Sequence, residues 1–431
     1  MEKIKIKDLT LWIILAVFLR LAAMMIAVHG DSVSVNYSPS ELAYKGILDI
    51  YRYKRDSVGM IGGWRSYYPP LTYFTVGFFQ FISRPLNPGF YAWIHEIYPI
   101  GIRPWLVSNG VSFAFFKHLF FMKAPYLLFD TFCLASILGY IGDPRSKIRA
   151  FKLWSVNPVI LYGVYMFGQA DIIPALLTVL AVLAARRHKG PWALMLLSFA
   201  TLFKTYPMFL ILPLLITQSR SLRDYLKGTA AIVLPFFILL PFYFSSKFAV
   251  ISSLFPKIYS EDSLSVDWIF PLKIIFMVLY AFLIGVCIRS KKRADTEIPA
   301  LNLTMAVLML LYVIFFVHVH YFIWVIPFLV IAVSTGVVSP RLYYVQIVCL
   351  FIFNLNSRNT STALFMPLDP QFFYALPGLP DLMHNISIRW GAVMLAARMC
   401  FVVICVMMAT DLLGVTAFIK RLPKWIGGNG R

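Results

Sequence analysis

Charge is scarce in this chain of 431 residues, because Asp, Glu, Lys and Arg together make up only 13% of it. Soluble domains are nearer one quarter charged. Hydrophobic residues make up 60% of the chain, and the mean hydropathy is +0.76. This balance excludes an ordinary water-soluble domain. It predicts a chain embedded in lipid, where each spanning helix takes about 20 apolar residues.

Cysteine is also scarce, and no metal-ligand spacing is present. All five cysteines lie inside apolar runs, and no C-x-x-C or D-x-D sequence occurs. A disulfide framework in the outer loops is therefore not expected, and neither is a bound metal or other cofactor. The apolar runs are continuous rather than alternating, which favours membrane helices over membrane strands.

The net charge is +20, and the positions of the basic residues indicate membrane topology rather than nucleic-acid binding. Short loops rich in Lys and Arg stay on the cytoplasmic side of a membrane. The basic residues of this chain form short clusters between apolar runs, at Lys3–Lys7, Arg145–Lys152, Arg186–Lys189, Arg220–Lys227, Arg289–Arg293 and Lys420–Lys424. These clusters predict 14 crossings, or 12 if the region from Leu71 to Lys117, which includes a weak crossing at Trp105–Phe116, is re-entrant.

The predicted fold is therefore an all-α polytopic membrane protein of about 12–14 transmembrane helices. Residues 1–431 form a single transmembrane domain. Three polar outer loops are expected, at residues 29–70, 245–268 and 354–388, and the first is long enough to carry short interfacial helices.

Polar residues that could take part in catalysis or binding gather in these predicted outer segments. Asp31 follows the first apolar run, and a carboxylate there is either a solvated helix end or a general base for a hydroxyl. The first loop returns at Tyr68-Pro69-Pro70, where tandem prolines predict a stiff corner that starts a helix.

A second polar group lies around two further outer turns. Gln169 and Asp171 follow Gly168 in a tight turn, and both are hard to place in lipid. Lys204, two residues before Tyr206, lies at the outer end of its helix, against the positive-inside trend. Its amine either reaches lipid phosphates by snorkelling or binds a substrate phosphate as a point charge.

Two further candidates lie in later segments. Glu261 and Asp262 belong to the second outer loop, where a merely polar loop is the alternative to substrate binding. His318 and His320 end another helix, and at a spacing of two they do not share a helix face, which disfavours a zinc pair. One of these histidines is expected to contact a phosphate or hydroxyl, with a structural role as the alternative.

Taken in order, these residues resemble the GT-C superfamily of polyprenyl-phosphate-sugar-dependent glycosyltransferases. The nearest likeness is to the dolichyl-phosphate glucosyl- and mannosyltransferases of lipid-linked oligosaccharide assembly, and to GPI mannosyltransferases. The resemblance runs from Gly30-Asp31 through Tyr68-Pro69-Pro70-Leu71-Thr72, Lys123–Asp130, Gln169–Asp171 and Lys204, and continues through Leu254-Phe255-Pro256 with Glu261-Asp262 to Val319-His320.

The resemblance implies an inverting transfer of a hexose, mannose or glucose, at the outer or luminal face. The donor is a polyprenyl or dolichyl monophosphate sugar, and the acceptor a glycan or lipid-linked saccharide. It implies Asp31 as the general base, and Lys204 and His320 at the donor phosphate. Tyr68, Gln169, Asp171, Tyr206, Glu261, Asp262 and His318 are expected to bind substrate. A prokaryotic cell membrane is favoured, with the endoplasmic reticulum as the alternative. A transporter or lipid-linked-sugar flippase is the rival function.

Overall fold

The computed structural model describes residues 6–57, 68–242, 244, 266–291, 298–315 and 317–414. Within these ranges the chain is helical and contains no β-strand, as the continuous apolar runs predict. The α-helices are α1 Ile6–Ile26, α2 Gly30–Lys45, α3 Ile50–Ser57, α4 Pro70–Ser83, α5 Phe90–Ile100, α6 Ile102–Asn109, α7 Phe113–Lys123, α8 Pro125–Tyr140, α9 Pro144–Ser155, α10 Pro158–Ile160, α11 Ile172–Arg186, α12 Gly190–Thr201, α13 Met208–Gln218, α14 Leu222–Phe236, α15 Val266–Lys291, α16 Ala300–Ile314, α17 Ile326–Ser334, α18 Pro340–Asn354, α19 Pro370–Ala375, α20 Leu379–Asn385 and α21 Trp390–Leu412.

Short tighter or wider helical turns link several of these elements. A π-helical segment, Leu161–Met166, continues from α10. The 3₁₀ turns are Phe237–Leu239, Val319–Trp324, Arg358–Thr360 and Thr362–Phe365. Such turns are common at helix ends, and π-helical turns often mark functional sites.

Five helical stretches in the described residues are long and apolar enough to cross a bilayer. They are Leu9–Ile26, Phe113–Tyr140, Leu222–Phe242, Ile274–Lys291 and Trp390–Leu412. Four shorter apolar helices accompany them: α11, α12, α13 and α16. Large apolar side chains such as Phe18, Phe132 and Val403 are more than half exposed, as expected of a surface that faces lipid chains. The chain thus has the helices of a multi-pass membrane protein, whereas the total of 12–14 crossings stays a prediction.

The polar stretch between α1 and α4, predicted as an outer loop with short helices, is helical in its described part. Helix α2 is largely buried and packs against α4 and α5. It ends at Gly46, whose φ of 69° lies in the left-handed region that glycine adopts at helix ends. Residues 354–388 contain two 3₁₀ turns and the short helices α19 and α20.

Trp105–Phe116, predicted as a weak crossing, is not one helix, so this prediction is wrong. Helix α6 ends at Asn109, and Gly110 has a φ of 67°. Ser112 then caps α7 by accepting a hydrogen bond from the Phe115 amide at 3.2 Å. A glycine with a positive φ followed by a serine N-cap ends one helix and begins another. The spanning stretch therefore starts at Phe113 and continues through α8.

The largest apolar core surrounds the buried middle of the bundle. It joins the end of α1 to α8, the π-helical segment, α11, α16, α17, α18 and α21. A second core covers the end of α1 and packs α2, α5, α6 and α7 against residues 363–366. The two cores meet where α1 passes into α2, and the polar residues singled out above gather at this junction.

Candidate functional site

Five distant stretches of the chain meet at the junction between α1 and α2. They are residues 29–32, the corner at Tyr68, the turn at 167–171, the end of α12 with Lys204, and the 3₁₀ turn that follows His318. Each stretch follows or precedes a helix, so the adjoining helix end fixes the position of its polar groups. This group of residues is called the junction site below.

Asp31 occupies the first turn of α2, where its conformation is fixed by His29. The His29 side chain caps the helix by accepting a hydrogen bond from the Asp31 amide at 3.0 Å. Gln169 Nε2 donates to Asp31 Oδ2 at 3.3 Å. The Asp31 side chain is 47% exposed, so a solute can reach the carboxylate. Loss of solvation by the surrounding protein raises the pKa of Asp31. The charges of Lys204 and His318 and the Gln169 hydrogen bond oppose this rise.

The turn from Phe167 to Asp171 supplies two polar groups two residues apart. Gly168 has a φ of 75°, and a Cβ at this position would lie 2.7 Å from the Ser32 Cβ. Only glycine satisfies both the left-handed backbone and the close approach to α2. The contact brings Gln169 to Asp31 and leaves Asp171 as the N-cap residue of α11.

Lys204 reaches the same turn from the end of α12. Its Nζ lies 3.4 Å from Asp171 Oδ2, and its side chain is 18% exposed. The ammonium lies over two tyrosine rings, 5.1 Å from the centroid of Tyr68 and 5.4 Å from that of Tyr321. A carboxylate and two aromatic faces thus hold a cation whose side chain stays partly exposed.

The proline corner and the end of α12 are tied together. Pro70 is the first residue of α4, as predicted, and Pro69 precedes it in an extended conformation. The Leu71 amide donates to the Leu202 carbonyl at 3.1 Å, and Thr72 Oγ1 donates to the Phe203 carbonyl at 2.9 Å. These bonds fix the start of α4 beside Lys204, which explains the position of Tyr68 over the ammonium.

Asp171 is fully buried and receives two polar partners. Trp324 Nε1 donates to Asp171 Oδ1 at 2.6 Å, while Lys204 binds Oδ2. Burial raises the pKa of Asp171, and the Lys204 charge and the Trp324 hydrogen bond act in the opposite direction. Tyr206 is buried behind this pair: its ring stacks on Trp324 at 4.2 Å, and its hydroxyl lies 3.2 Å from Thr178 Oγ1.

Four rings form a continuous stack along one side of the junction site. His29 stacks on Phe167 at 3.6 Å, Phe167 on His320 at 5.2 Å, and His320 on His318 at 5.5 Å. The two histidines share a side here although residues two apart do not share a face of a regular helix. The backbone at His318 is extended and the following turn is 3₁₀, so the regular helical spacing does not apply.

The two histidines differ in their surroundings. His320 is 5% exposed, whereas His318 is half-buried and lies close enough to Asp31 to lower the carboxyl pKa through its charge. His318 is therefore the histidine that shares the environment of the carboxylate, and His320 lies behind it. The site role predicted for His320 stays a prediction.

The structure brings together eight of the ten predicted site residues, directly or through one neighbour. They are Asp31, Tyr68, Gln169, Asp171, Lys204, Tyr206, His318 and His320. Glu261 and Asp262 lie outside the described residues.

Three residues of the junction site carry no signal in the sequence patterns considered above. His29 caps the helix that bears Asp31, Tyr321 covers Lys204, and Trp324 binds Asp171. Trp324 could have been noticed as an indole N–H in an apolar stretch, since such a donor needs a buried acceptor. Its partner could not have been identified, because 153 residues separate the two.

The groups at the site suit proton transfer and the binding of an anion. A half-exposed carboxylate can accept a proton, and a nearby ammonium can bind a phosphate as a point charge. Within the described ranges, no cluster of three or more His, Cys, Asp or Glu residues could hold a metal ion.

Neither a protein-family model, nor a curated protein, nor a solved structure matches this chain.

Proposed function

We propose that this protein is a membrane glycosyltransferase that uses a polyprenyl or dolichyl monophosphate sugar as donor. The observation that supports this proposal is that Asp31 and Lys204 both contact the turn at residues 169–171 of the junction site. Asp31 is bonded to Gln169, and Lys204 to Asp171, so one short turn holds a carboxylate and an ammonium side by side. Transfer of a sugar from a phosphate can use such a pair, with one group for the attacking hydroxyl and one for the leaving phosphate.

In the proposed reaction, Asp31 accepts the proton of the acceptor hydroxyl as its oxygen forms a bond to the anomeric carbon. The bond between the anomeric carbon and the phosphate oxygen breaks, and its electron pair leaves with the polyprenyl phosphate. Attack from the face opposite the phosphate inverts the anomeric configuration. Lys204 stabilises the charge that develops on the phosphate, and the preorganised carboxylate and aromatic rings around it keep it in place.

The fold suits a substrate with a long apolar tail. The junction site lies at the ends of α1 and α12, and α1 and α8 expose large apolar side chains such as Phe18 and Phe132. A donor can therefore keep its tail in lipid while its headgroup enters the site. The acceptor is a glycan or a lipid-linked saccharide, and mannose or glucose is the proposed sugar.

The test is transfer of radiolabelled sugar from a polyprenyl-phosphate donor by the purified protein in lipid nanodiscs. Asp31→Asn is expected to reduce the transfer rate by about 10²–10⁴-fold, the range typical of a general base. Asp143→Asn is the matched control, because Asp143 is an exposed N-cap residue of α9 and Asn also caps helices. Transfer at the wild-type rate by Asp31→Asn would remove Asp31 from this role.

Lys204 has its own control at the opposite end of α12. Lys204→Gln is expected to reduce transfer by about 10²–10³-fold through loss of charge stabilisation. Lys189 precedes α12 at its other end and is exposed, so Lys189→Gln makes the same chemical change away from the site. Equal effects of both substitutions would show that net charge, rather than phosphate binding at Lys204, sets the rate.

The histidines are distinguished in the same assay. We propose that His318 contacts the donor phosphate or the acceptor hydroxyl directly, and that His320 supports it through ring stacking. His318→Ala should then lower the transfer rate at saturating donor. His320→Phe, which keeps a ring between Phe167 and His318, should retain most of it. The reverse order of effects would return the phosphate role to His320.

A flippase is the second candidate, and an ion pair inside the membrane-spanning helices favours it. Arg20 Nε lies 2.6 Å from Asp130 Oδ2, and intramembrane charges often mark transport paths. However, Asp130 also accepts hydrogen bonds from Trp154 and Tyr165 at 2.5 Å, and Arg20 donates to the Ser155 carbonyl. This pair is satisfied within the protein. Movement of donor between vesicle leaflets without sugar transfer would support the flippase instead.

A further inference from the structure

Three Lys and Arg side chains inside the spanning helices share one kind of partner, the last carbonyl groups of another helix. Such carbonyls have no partner within their own helix, and the helix dipole makes them attract positive charge. The three side chains and their acceptors are Arg20 with Trp154 and Ser155, Lys123 with Met24 and Ala27, and Arg398 with Tyr312 and Phe315. They satisfy the ends of α9, α1 and α16.

Lys123 differs from Arg20 in two respects. Arg20 has a carboxylate partner in Asp130, whereas Lys123 forms no ion pair with a carboxylate in the part of the chain that the structure describes. Its amino group instead donates to three carbonyls of two separate elements, and the side chain is fully buried. An amine without these acceptors would be costly in a dry interior, so the three bonds hold the elements to it.

Both elements lead into the junction site within a few residues. The first is the end of α1, where the Ala27 carbonyl accepts from Lys123 Nζ at 2.6 Å, four residues before Asp31. The second is the end of the π-helical segment, where the Met166 carbonyl accepts at 3.4 Å, three residues before Gln169. Gly168 packs over the same side chain, since a Cβ there would lie 3.3 Å from Lys123 Cε.

We propose that Lys123 is a positioning residue that sets the separation between Asp31 and Gln169. It does so by joining the end of α1, which precedes Asp31, to the end of the π-helical segment, which precedes Gln169. This inference rests on the proposed function only in that Asp31 acts there as the base. Lys123 does not touch substrate. It fixes the register in which Gln169 donates to the Asp31 carboxylate, and a displacement of about 1 Å at such a contact can cost on the order of 100-fold in rate.

Lys123→Met tests the proposal, because it keeps an unbranched apolar stem and removes all three hydrogen-bond donors. The transfer rate should fall on the order of 100-fold. Lys117→Met is the matched control: it lies on the same helix and is half-buried, and it should transfer at the wild-type rate. Loss of folding alone would lower the active fraction, so the rate is normalised to folded protein.

The pH dependence of transfer distinguishes positioning from simple destabilisation. The groups that interact with Asp31 are Gln169, Lys204, His318, His29, Asp171, Tyr68 and Tyr321. Loss of the Gln169 contact should move the acidic limb of the rate profile to higher pH, because that hydrogen bond favours the ionised carboxylate. Lys123→Met and Gln169→Leu should shift the limb in the same direction, and the double variant should shift it no further. An unshifted limb in Lys123→Met would overturn the proposal.

Amide hydrogen exchange provides a readout that does not depend on activity. Lys123→Met should increase exchange in peptides covering residues 27–33 and 166–171, whereas Lys117→Met should leave both unchanged. If the wild-type protein transfers no sugar but Lys123→Met still exchanges faster at these peptides, the proposed function is rejected and the positioning role is kept. Unchanged exchange in an active enzyme would reject the positioning role and keep the function.

Discussion

Trp324 Nε1 donates a hydrogen bond of 2.6 Å to Asp171 Oδ1, and the other oxygen of that carboxylate faces Lys204 Nζ at 3.4 Å. The indole therefore fixes the orientation in which the carboxylate meets the ammonium. A buried carboxylate with two such partners is held in one geometry. Lys204 therefore keeps one counterion in one position while its side chain stays partly exposed.

Trp324→Phe should destabilise the protein by about 1.5–3 kcal/mol, since the hydrogen bond goes to a charged acceptor. The measurement is thermal or denaturant unfolding in detergent. Trp390→Phe is the matched control, because Trp390 is also partly buried but its indole N–H has no hydrogen-bond partner in the described structure. Equal losses in both variants would mean that ring volume, and not the bond to Asp171, accounts for the effect.

Sugar transfer should fall as the pH is lowered through the raised pKa of Asp31, because only the ionised carboxylate accepts a proton. The same shift has a consequence for stability. A carboxyl whose pKa is raised on folding binds its proton more tightly when folded, so its ionisation destabilises the fold as the pH rises above the unfolded value. Asp31→Asn should therefore unfold at an equal or higher temperature than the wild type at neutral pH. A clearly lower midpoint would contradict the assignment of burial as the main cause.

His29 should stay neutral across about pH 5 to 8, because burial is the main cause that lowers its pKa, to about 3. A group whose folded pKa lies below its unfolded value of 6.5 stabilises the fold above that value, and the stability is lost as the pH falls through the window towards 3. His29→Asn keeps a capping side chain, so its stability should depend less on pH in this range. The comparison of unfolding midpoints at several pH values checks this, and identical slopes would exclude it.

Gly168→Ala should be strongly destabilising for two separable reasons. The left-handed backbone costs about 1–2 kcal/mol for a residue with a Cβ, and the 2.7 Å approach to the Ser32 Cβ adds overpacking of about 1–3 kcal/mol. Gly46→Ala is the control, since Gly46 is left-handed with a φ of 69° and nothing lies within 4 Å of its Cβ position. The control should show only the backbone cost.

A second substitution isolates the contact between the turn and α2. Ser32→Gly removes the Cβ that an alanine at 168 would meet, so the double variant should recover part of the stability lost in Gly168→Ala. The unfolding free energies of the two single variants and the double variant form a cycle that measures the coupling. If the effects of the two single substitutions on the unfolding free energy simply add, residues 168 and 32 are not in steric conflict in the Gly168→Ala variant.

Several local features of the fold were predictable from the sequence alone. Long apolar runs predict helices, and Pro69-Pro70 and Gly168 predict the start of α4 and a tight turn, both of which the structure confirms. These features depend on neighbours within a few residues, because proline restricts its own backbone and glycine permits the left-handed region. The end of an apolar run likewise predicted Lys204 at a helix end, and it lies three residues past the end of α12.

The arrangement of the junction site was decided by tertiary structure. Gln169 meets Asp31 across 138 residues of sequence, Trp324 meets Asp171 across 153, and Lys123 meets Met24 across 99. Membrane helices are apolar on all sides, so their sequences do not mark which face packs inward or which ends meet. Composition determined that this chain forms membrane-type helices with polar ends. Only helix packing decided that the carboxylate, the ammonium and the stacked rings share one site, since that depends on contacts between residues far apart in the sequence.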